Sequence, residues 1–155
     1  MVSVVPFTFT YIQIVDLKTH KPLTVPKSNG FFSPRWSPHG RYIAALSSNS
    51  CDLWLFNFAT QEWSLWAKEN EGTVAFPAWS RDSQFLSFST MHTANPTFRR
   101  IGLGDSDSVS FAGFKDLHVY GGRWGGWTGI APDGSPLVVR DISTEEIYAL
   151  DVNLP

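Results

Sequence analysis

One short motif occurs three times along the 155-residue chain and limits the folds that it can adopt. The stretch WSPHGRYIA at residues 36–44 returns as WSRDSQFLS at 79–87 and as IAPDGSPLV at 130–138, at steps of 43 and 51 residues. In each copy a polar turn separates two short apolar runs, which is typical of a β-hairpin. We therefore expect tight turns at His39-Gly40, Asp82-Ser83 and Asp133-Gly134 in a chain of repeated hairpins.

A second repeat lies between the copies of the first. IQIVDLKT at residues 12–19 matches LWLFNFAT at 53–60, FRRIGLGD at 98–105 and IYALDV at 147–152, at steps of 41, 45 and 49. The two repeats alternate, so each unit contains two hairpins, with strands A and B in the first and C and D in the second. Units of about 40 to 50 residues with four short strands are typical of propeller blades. The predicted fold class is all-β, a partial β-propeller of about three four-stranded antiparallel blades.

These residues resemble the TolB-like, or WD40-like, β-propeller repeats of bacterial proteins. Residues 33–44 and 53–60 follow that pattern closely, and the resemblance covers nearly all of the chain. Three positions depart from it: His39 replaces the turn Asp, Ser83 replaces the turn Gly, and Ile130 stands where Trp is expected. We expect such drift to weaken individual turns rather than the repeat.

The number of blades predicts an incomplete ring. We treat residues 1–155 as a single propeller fragment, in which 1–26 supply only strands C and D, 31–66 and 74–111 supply two full blades, and 127–155 supply strands A, B and C. A closed propeller generally needs about four to eight blades. We therefore expect the chain to be the C-terminal part of a longer propeller, completed by missing upstream blades, or to be completed by self-association.

Composition gives no sign of an electrostatic partner. The chain has 12 Lys plus Arg against 14 Asp plus Glu, a formal net charge of −2, so direct nucleic-acid binding is not expected. No run of about 18 apolar residues is present, so no membrane span is expected. The lone Cys51 excludes an internal disulfide. The compartment stays open, with the cytoplasm favoured and the periplasm an alternative if a longer parent carries a signal.

Sequence signatures of catalysis are missing. We find no Gly-x-Ser-x-Gly elbow, phosphate-binding glycine loop or His-Glu-x-x-His pair. The four histidines are scattered among predicted turns, and the turn aspartates Asp82 and Asp133 have an ordinary structural use. We therefore expect no catalytic residue, no metal and no cofactor, and a chain that is not an enzyme.

The longest predicted loop is the candidate binding site. If the assignment of strands A to D is right, the loops from B to C and from D to A emerge on one face. The D-to-A loop at residues 112–126 is by far the longest of them. Long loops on a rigid scaffold are where function concentrates. We expect it to form a contact surface with the neighbouring loop 91–96. Its candidate binding residues are Lys115, His118, Tyr120, Arg123 and Trp124.

Tryptophans and arginines allow three further expectations. Trp36 and Trp79 share a repeat position and should pack between neighbouring blades. The glycines of residues 121–127 either let a thin loop carry Trp rings or permit close packing between blades. Of Arg99 and Arg100, one should face water and the other should pair with a carboxylate, since a buried unpaired charge is costly.

The resemblance carries the functional expectation. Propellers of this type often form the C-terminal half of larger bacterial proteins, and this chain resembles particularly those that follow winged-helix regulators. It implies a non-catalytic binding module, a sensor or docking part whose protein or small-molecule partner is unknown. The alternative is an accessory propeller that gates or selects substrates for a multidomain enzyme such as a serine peptidase or protein kinase.

Overall fold

A computed structural model describes residues 11–121 and 126–144. Within these ranges the chain forms twelve β-strands and no helix, so no helix there is long and apolar enough to cross a membrane. The strands are β1 Gln13–Val15, β2 Pro22–Thr24, β3 Phe31–Trp36, β4 Tyr42–Ser47, β5 Asp52–Asn57, β6 Glu62–Lys68, β7 Thr73–Trp79, β8 Phe85–Met91, β9 Thr97–Gly102, β10 Val109–Gly113, β11 Thr128–Ile130 and β12 Pro136–Val138.

The strands form four separate antiparallel sheets. Two are complete, with the orders β3-β4-β5-β6 and β7-β8-β9-β10, and they are flanked by the pairs β1-β2 and β11-β12. Across the described ranges the sheets do not close a ring. The prediction of an all-β partial propeller is therefore confirmed. The strand C predicted at residues 147–152 lies outside the described residues.

The three predicted turns are present. In each, an amide N–H bonds the carbonyl three residues earlier, and the donor has the left-handed backbone of such turns. The bonds are Gly40 N to Ser37 O at 2.8 Å, Ser83 N to Ser80 O at 2.9 Å and Gly134 N to Ala131 O at 2.9 Å, with φ of 75°, 58° and 89° at the donors.

Apolar side chains fill the two spaces between the first three sheets. Because side chains alternate along a strand, β4 presents Ile43 and Ala45 to one neighbouring sheet and Ala44 and Leu46 to the other. The first set packs with Phe56 against the β1-β2 pair, and the second packs against the sheet that begins with β7. A strand buried on both faces explains the uninterrupted apolar run of β4.

The two tryptophans of the first repeat have different surroundings. Trp79 Nε1 donates to the Arg35 carbonyl of the preceding sheet at 2.9 Å, and its ring stacks on Tyr42. Trp36 is 49% exposed and donates instead to Gly40 of its own turn at 3.1 Å. The prediction that both tryptophans pack between neighbouring blades is therefore confirmed for Trp79 and wrong for Trp36. The described β1-β2 pair offers Trp36 no strand equivalent to β3.

The arginine pair of β9 follows the expectation in part. Arg100 is exposed, as expected, and its Cζ lies 5.7 Å from the centre of the Phe85 ring. Arg99 finds a serine rather than a carboxylate: its Nε donates to Ser108 Oγ and its Nη2 to Ser108 O, both at 2.8 Å. A carbonyl and a hydroxyl thus satisfy this half-buried guanidinium locally.

Candidate functional site

Loops that follow the second and fourth strands of the sheets meet on one edge of the molecule. Cys51 O accepts a bond from Glu69 N at 2.8 Å, and Ser50 O accepts one from Val74 N at 2.7 Å. Cys51 Sγ also lies 3.5 Å from Gly72 O. The loop after β4 therefore touches the segment between β6 and β7, and we call this edge the loop rim.

The candidate loop 112–126 begins from a buried anchor on this rim. The Phe114 side chain is buried, and its ring centre lies 5.1 Å from that of Phe98. Phe114 N donates to Pro96 O at 3.1 Å, which joins the loop to the neighbouring loop 91–96. A buried aromatic and a backbone bond together fix where the loop leaves β10.

Farther along, the same loop pairs with the segment after β12. Tyr120 N donates to Val139 O at 2.8 Å, and Asp141 N donates to His118 O at 2.7 Å. Val119 and Arg140 form an antiparallel bridge between these bonds. The segment is therefore held by backbone bonds at both ends of its described part.

Between the anchors, three of the candidate side chains face solvent. Lys115, His118 and Tyr120 are all exposed, Tyr120 to 51%. Beside them, the Ser143 hydroxyl and N–H, with a smaller contribution from His118, lower the pKa of Asp141 below its ordinary value. The other two candidates, Arg123 and Trp124, lie outside the described residues.

Glycines in this region permit close packing. A Cβ on Gly126 would lie 3.2 Å from Val119 Cγ1 and 3.3 Å from Met91 Cε, so the chain here passes tightly between two neighbours. A Cβ on Gly129 would meet the Trp127 ring at 2.7 Å. Trp127 nevertheless stays 49% exposed. At residues 126–129 the backbone therefore packs closely and carries an exposed aromatic ring, while residues 122–125 lie outside the described residues.

A cleft of about 330 Å³ opens beside Gly126. Its lining includes Phe32, Ser33, Ser50, Thr73, Phe76, Met91, His92 and Gly126. Ser33 and Phe76 each have a φ of 51°, and each lies at the bulge that interrupts its strand pairing. Bulges of this kind redirect side chains and are frequent near binding sites. At the mouth, Thr73 Oγ1 and His92 Nδ1 are 3.1 Å apart.

In the described ranges the carboxyl groups with a shifted pKa lie in turns. No group of three His, Cys, Asp or Glu side chains there is placed to hold a metal ion. The carboxyl groups with a lowered pKa each accept bonds from their own turn: Asp16 from the Thr19 and Lys18 N–H groups, Asp82 from the Ser80 hydroxyl and Gln84 N–H, Asp133 from Ser135, and Asp141 from Ser143. Carboxylates used in this way stay ionised and stabilise turns.

The sequence did not predict the cleft, although His92 lies in the loop 91–96 that was expected to form part of the contact surface. Thr73, His92 and Phe76 belong to no chemical motif, and Trp127 lies in the glycine-rich segment 121–127. One signal was present: Pro34 and Pro77 recur at a spacing of 43 residues, and a proline inside a strand indicates an edge or a bulge.

The chain matches no protein-family model, and no curated protein is significantly similar to it. Its fold resembles that of TolB from Acinetobacter baumannii, with a TM-score of 0.60 and 22% identity over 80% of this chain and 30% of that one. The β-propeller domain of the Trilobed protease from Pyrococcus furiosus gives a TM-score of 0.53 and 19% identity over 68% of this chain and 34% of that one.

A third similar structure comes from a study of two prolyl endopeptidases. It gives a TM-score of 0.60 and 16% identity over 86% of this chain and 23% of that one. The chain thus spans about a third or less of the length of the structures that it matches. At these identities the likeness shows the fold alone, which is a TolB-like β-propeller.

Proposed function

We propose that this chain, with its TolB-like propeller fold, is a non-catalytic binding module whose contact surface is the loop rim. In this proposal it is the C-terminal sensor or docking part of a larger bacterial regulatory protein. The observation that carries the proposal is the segment 114–121, which presents Lys115, His118 and Tyr120 to solvent from a backbone tied at both ends.

Pre-ordering of the loop favours binding. Ordering a loop on association costs free energy, and a loop already fixed by Phe114 and by the Val119–Arg140 bridge avoids part of that cost. The exposed side chains combine charge with aromatic surface. Tyrosine and tryptophan are enriched at the centres of protein contacts, and Tyr120 and Trp127 supply both on one edge.

The non-catalytic part of the proposal is supported by the carboxylates. Active sites usually raise the pKa of an acid or place a nucleophile beside a base. Here the shifted carboxyl groups have a lowered pKa and bond to their own turns. The Thr73–His92 contact is the closest approach to a hydroxyl–base pair on the rim, and in the described residues no acidic group bonds the other ring nitrogen.

A second candidate is an accessory propeller in a multidomain enzyme. Two of the similar structures are of peptidases, one of them a β-propeller domain. In that case the loop rim would face a catalytic domain of a serine peptidase or protein kinase.

The experiment compares two rims of one molecule. The full-length protein is tagged in cells that produce it, and co-purified proteins are quantified for the wild type, for Lys115→Ala/His118→Ala/Tyr120→Ala, and for a control. The control is Lys18→Ala/His39→Ala, which changes exposed side chains in turns on the opposite rim.

We expect a partner that is retained by the control and reduced at least about tenfold by the triple variant, since a few contact residues carry most of the binding free energy. Equal retention in both variants, with unchanged melting temperatures, would place the contact elsewhere. Substrate turnover by the purified chain that the triple variant abolishes would overturn the non-catalytic assignment.

A further inference from the structure

A larger cleft, of about 690 Å³, lies on the opposite rim. It separates the turn that joins β7 to β8 from the turn that joins β11 to β12, and its lining includes Ala78, Trp79, Phe85 and Ile130. Clefts of roughly 300–1,000 Å³ are the size of small-molecule sites. We propose that this cleft binds a small planar aromatic molecule with a ring N–H donor, of the indole class.

The repeat itself identifies what fits this space. One step earlier along the chain, the equivalent space between sheets is filled by the indole of Trp79. That ring stacks on Tyr42 with a centre-to-centre distance of 6.4 Å, packs against Trp66 at 5.3 Å and donates its N–H to Arg35 O. An indole is therefore the group that this arrangement of strands accommodates.

Two of the three groups that contact the Trp79 indole have counterparts around the cleft. Ala78 stands 43 residues after Arg35, and Phe85 stands 43 residues after Tyr42, so a carbonyl and a stacking ring are supplied at equivalent positions. The position of Trp79 is taken by Ile130, which has a much smaller side chain and no donor. The substitution of Trp by Ile thus leaves room where the repeat places an indole.

Arg100 differs from its counterpart in the filled site. Leu55 pairs with Ala44, and Arg100 pairs with Ser87, so Arg100 takes the place of Leu55 in the next sheet. Its guanidinium lies 5.7 Å from the Phe85 ring centre but does not line the cleft, so the bound ring would meet Phe85 rather than the cation.

Two carboxylates also line the cleft. Asp82 Oδ1 accepts from Ser80 Oγ at 2.6 Å and from Gln84 N at 3.1 Å, and Asp133 Oδ1 accepts from Ser135 N at 2.9 Å. Both carboxylates are held within their turns, and Arg81 lines the cleft with them. The lining groups that match the filled site are the Phe85 ring and the Ala78 carbonyl, which suit an aromatic donor.

The test uses the full chain with fluoroindole, detected by the broadening of its ¹⁹F signal, in competition with indole or 1-methylindole. We expect saturable binding that indole displaces. Since 1-methylindole has no N–H, we expect it to compete about fivefold more weakly, the effect of one hydrogen bond.

Ile130→Trp should restore the ring that the repeat supplies, raise the melting temperature and abolish fluoroindole binding. The matched control is Ile142→Trp, the same change at a residue that is 82% exposed, which should leave both properties unchanged. Should Ile130→Trp fail to fold, Phe85→Leu, which removes the stacking ring, should weaken binding about threefold.

Four results would overturn the proposal. They are no saturable binding, equal competition by indole and 1-methylindole, binding that persists in folded Ile130→Trp, and binding only of a tryptophan-containing peptide, which would make the cleft a protein contact. Because all four results concern binding to a cleft on the rim opposite the loop rim, failure here is distinguishable from failure of the proposed function.

Discussion

Replacing the same tryptophan in two repeats by alanine tests whether packing between sheets stabilises this chain. Trp79→Ala removes a ring that contacts Tyr42 and Trp66 and a bond to Arg35 O of the preceding sheet. Truncating a core aromatic costs about 3–5 kcal/mol, and the half-buried state of Trp79 favours the lower end, roughly 3 kcal/mol. Trp36→Ala removes the same atoms from the matched position.

Trp36 should contribute much less to stability. It is already 49% exposed, it stacks on Phe58, and its N–H bonds its own turn. Since the hydrophobic contribution scales with the area removed from water, we expect a loss of roughly 1–1.5 kcal/mol. The difference of about 1.5–2 kcal/mol between the two variants measures the contact between the sheets.

Urea unfolding followed by far-ultraviolet circular dichroism is the suitable assay, because loss of a tryptophan changes the fluorescence itself. The denaturant dependence should be equal in both variants, which is the control for an unchanged unfolded state. If Trp36→Ala lowers the free energy of unfolding as much as Trp79→Ala or more, the reasoning is refuted. In that case the exposure of a tryptophan and its contacts with the neighbouring sheet would not determine its contribution to stability.

Three other predictions concern turns, pH and association. Ser83→Ala and Ser83→Gly both lose the hydroxyl that accepts a bond from His39 N. Only Ala keeps a side chain at the left-handed φ of 58°, so the Ala variant should be less stable than the Gly variant by about 1 kcal/mol in urea titrations. The lowered pKa values of Asp82 and Asp133 mean that their contribution is complete above the ordinary value of 3.8 and is lost as pH falls through the folded-state value. Urea midpoints should therefore fall from about pH 5 to about pH 2, and less so in Asp82→Asn; an unchanged slope would contradict this. Leu23, at 65% exposure, and Trp36 lie on uncovered apolar surface, so light scattering after size exclusion should find oligomers at micromolar concentration, and a monomer that persists at high concentration would contradict it.

Periodic features were predictable from the sequence because each has a local cause. The turns at His39-Gly40 and Asp133-Gly134 follow from residues that tolerate left-handed geometry, and the strands follow from apolar runs between them. At the candidate site, exposure of Lys115, His118 and Tyr120 agrees with a polar loop. These properties depend on neighbours along the chain.

Packing of Trp79 between sheets was predictable from its repeat position, but the spacing between the sheets was not. The bulges at Ser33 and Phe76 shift the strand register, and the cleft beside them depends on how closely the two sheets approach. His92 reaches Thr73 only because two loops leave neighbouring strands on the same rim. A periodic pattern specifies which face of a strand is apolar, but it does not specify the distance between faces.

Departures from the repeat do not simply weaken it, as Ser83 and Ile130 demonstrate. Ser83 takes the left-handed position that glycine occupies in the other two turns, its turn bond to Ser80 O remains 2.9 Å, and its hydroxyl accepts His39 N of the preceding sheet at 3.1 Å. The cost of a side chain in that geometry, roughly 1 kcal/mol, is comparable to the contribution of one hydrogen bond. At Ser83 the change therefore also adds a bond between sheets, and the expectation that drift weakens the individual turn stays a prediction. At Ile130 the opposite occurs: a ring is removed and a cleft remains. These two positions are therefore where the contacts between neighbouring units differ from those of the other repeats.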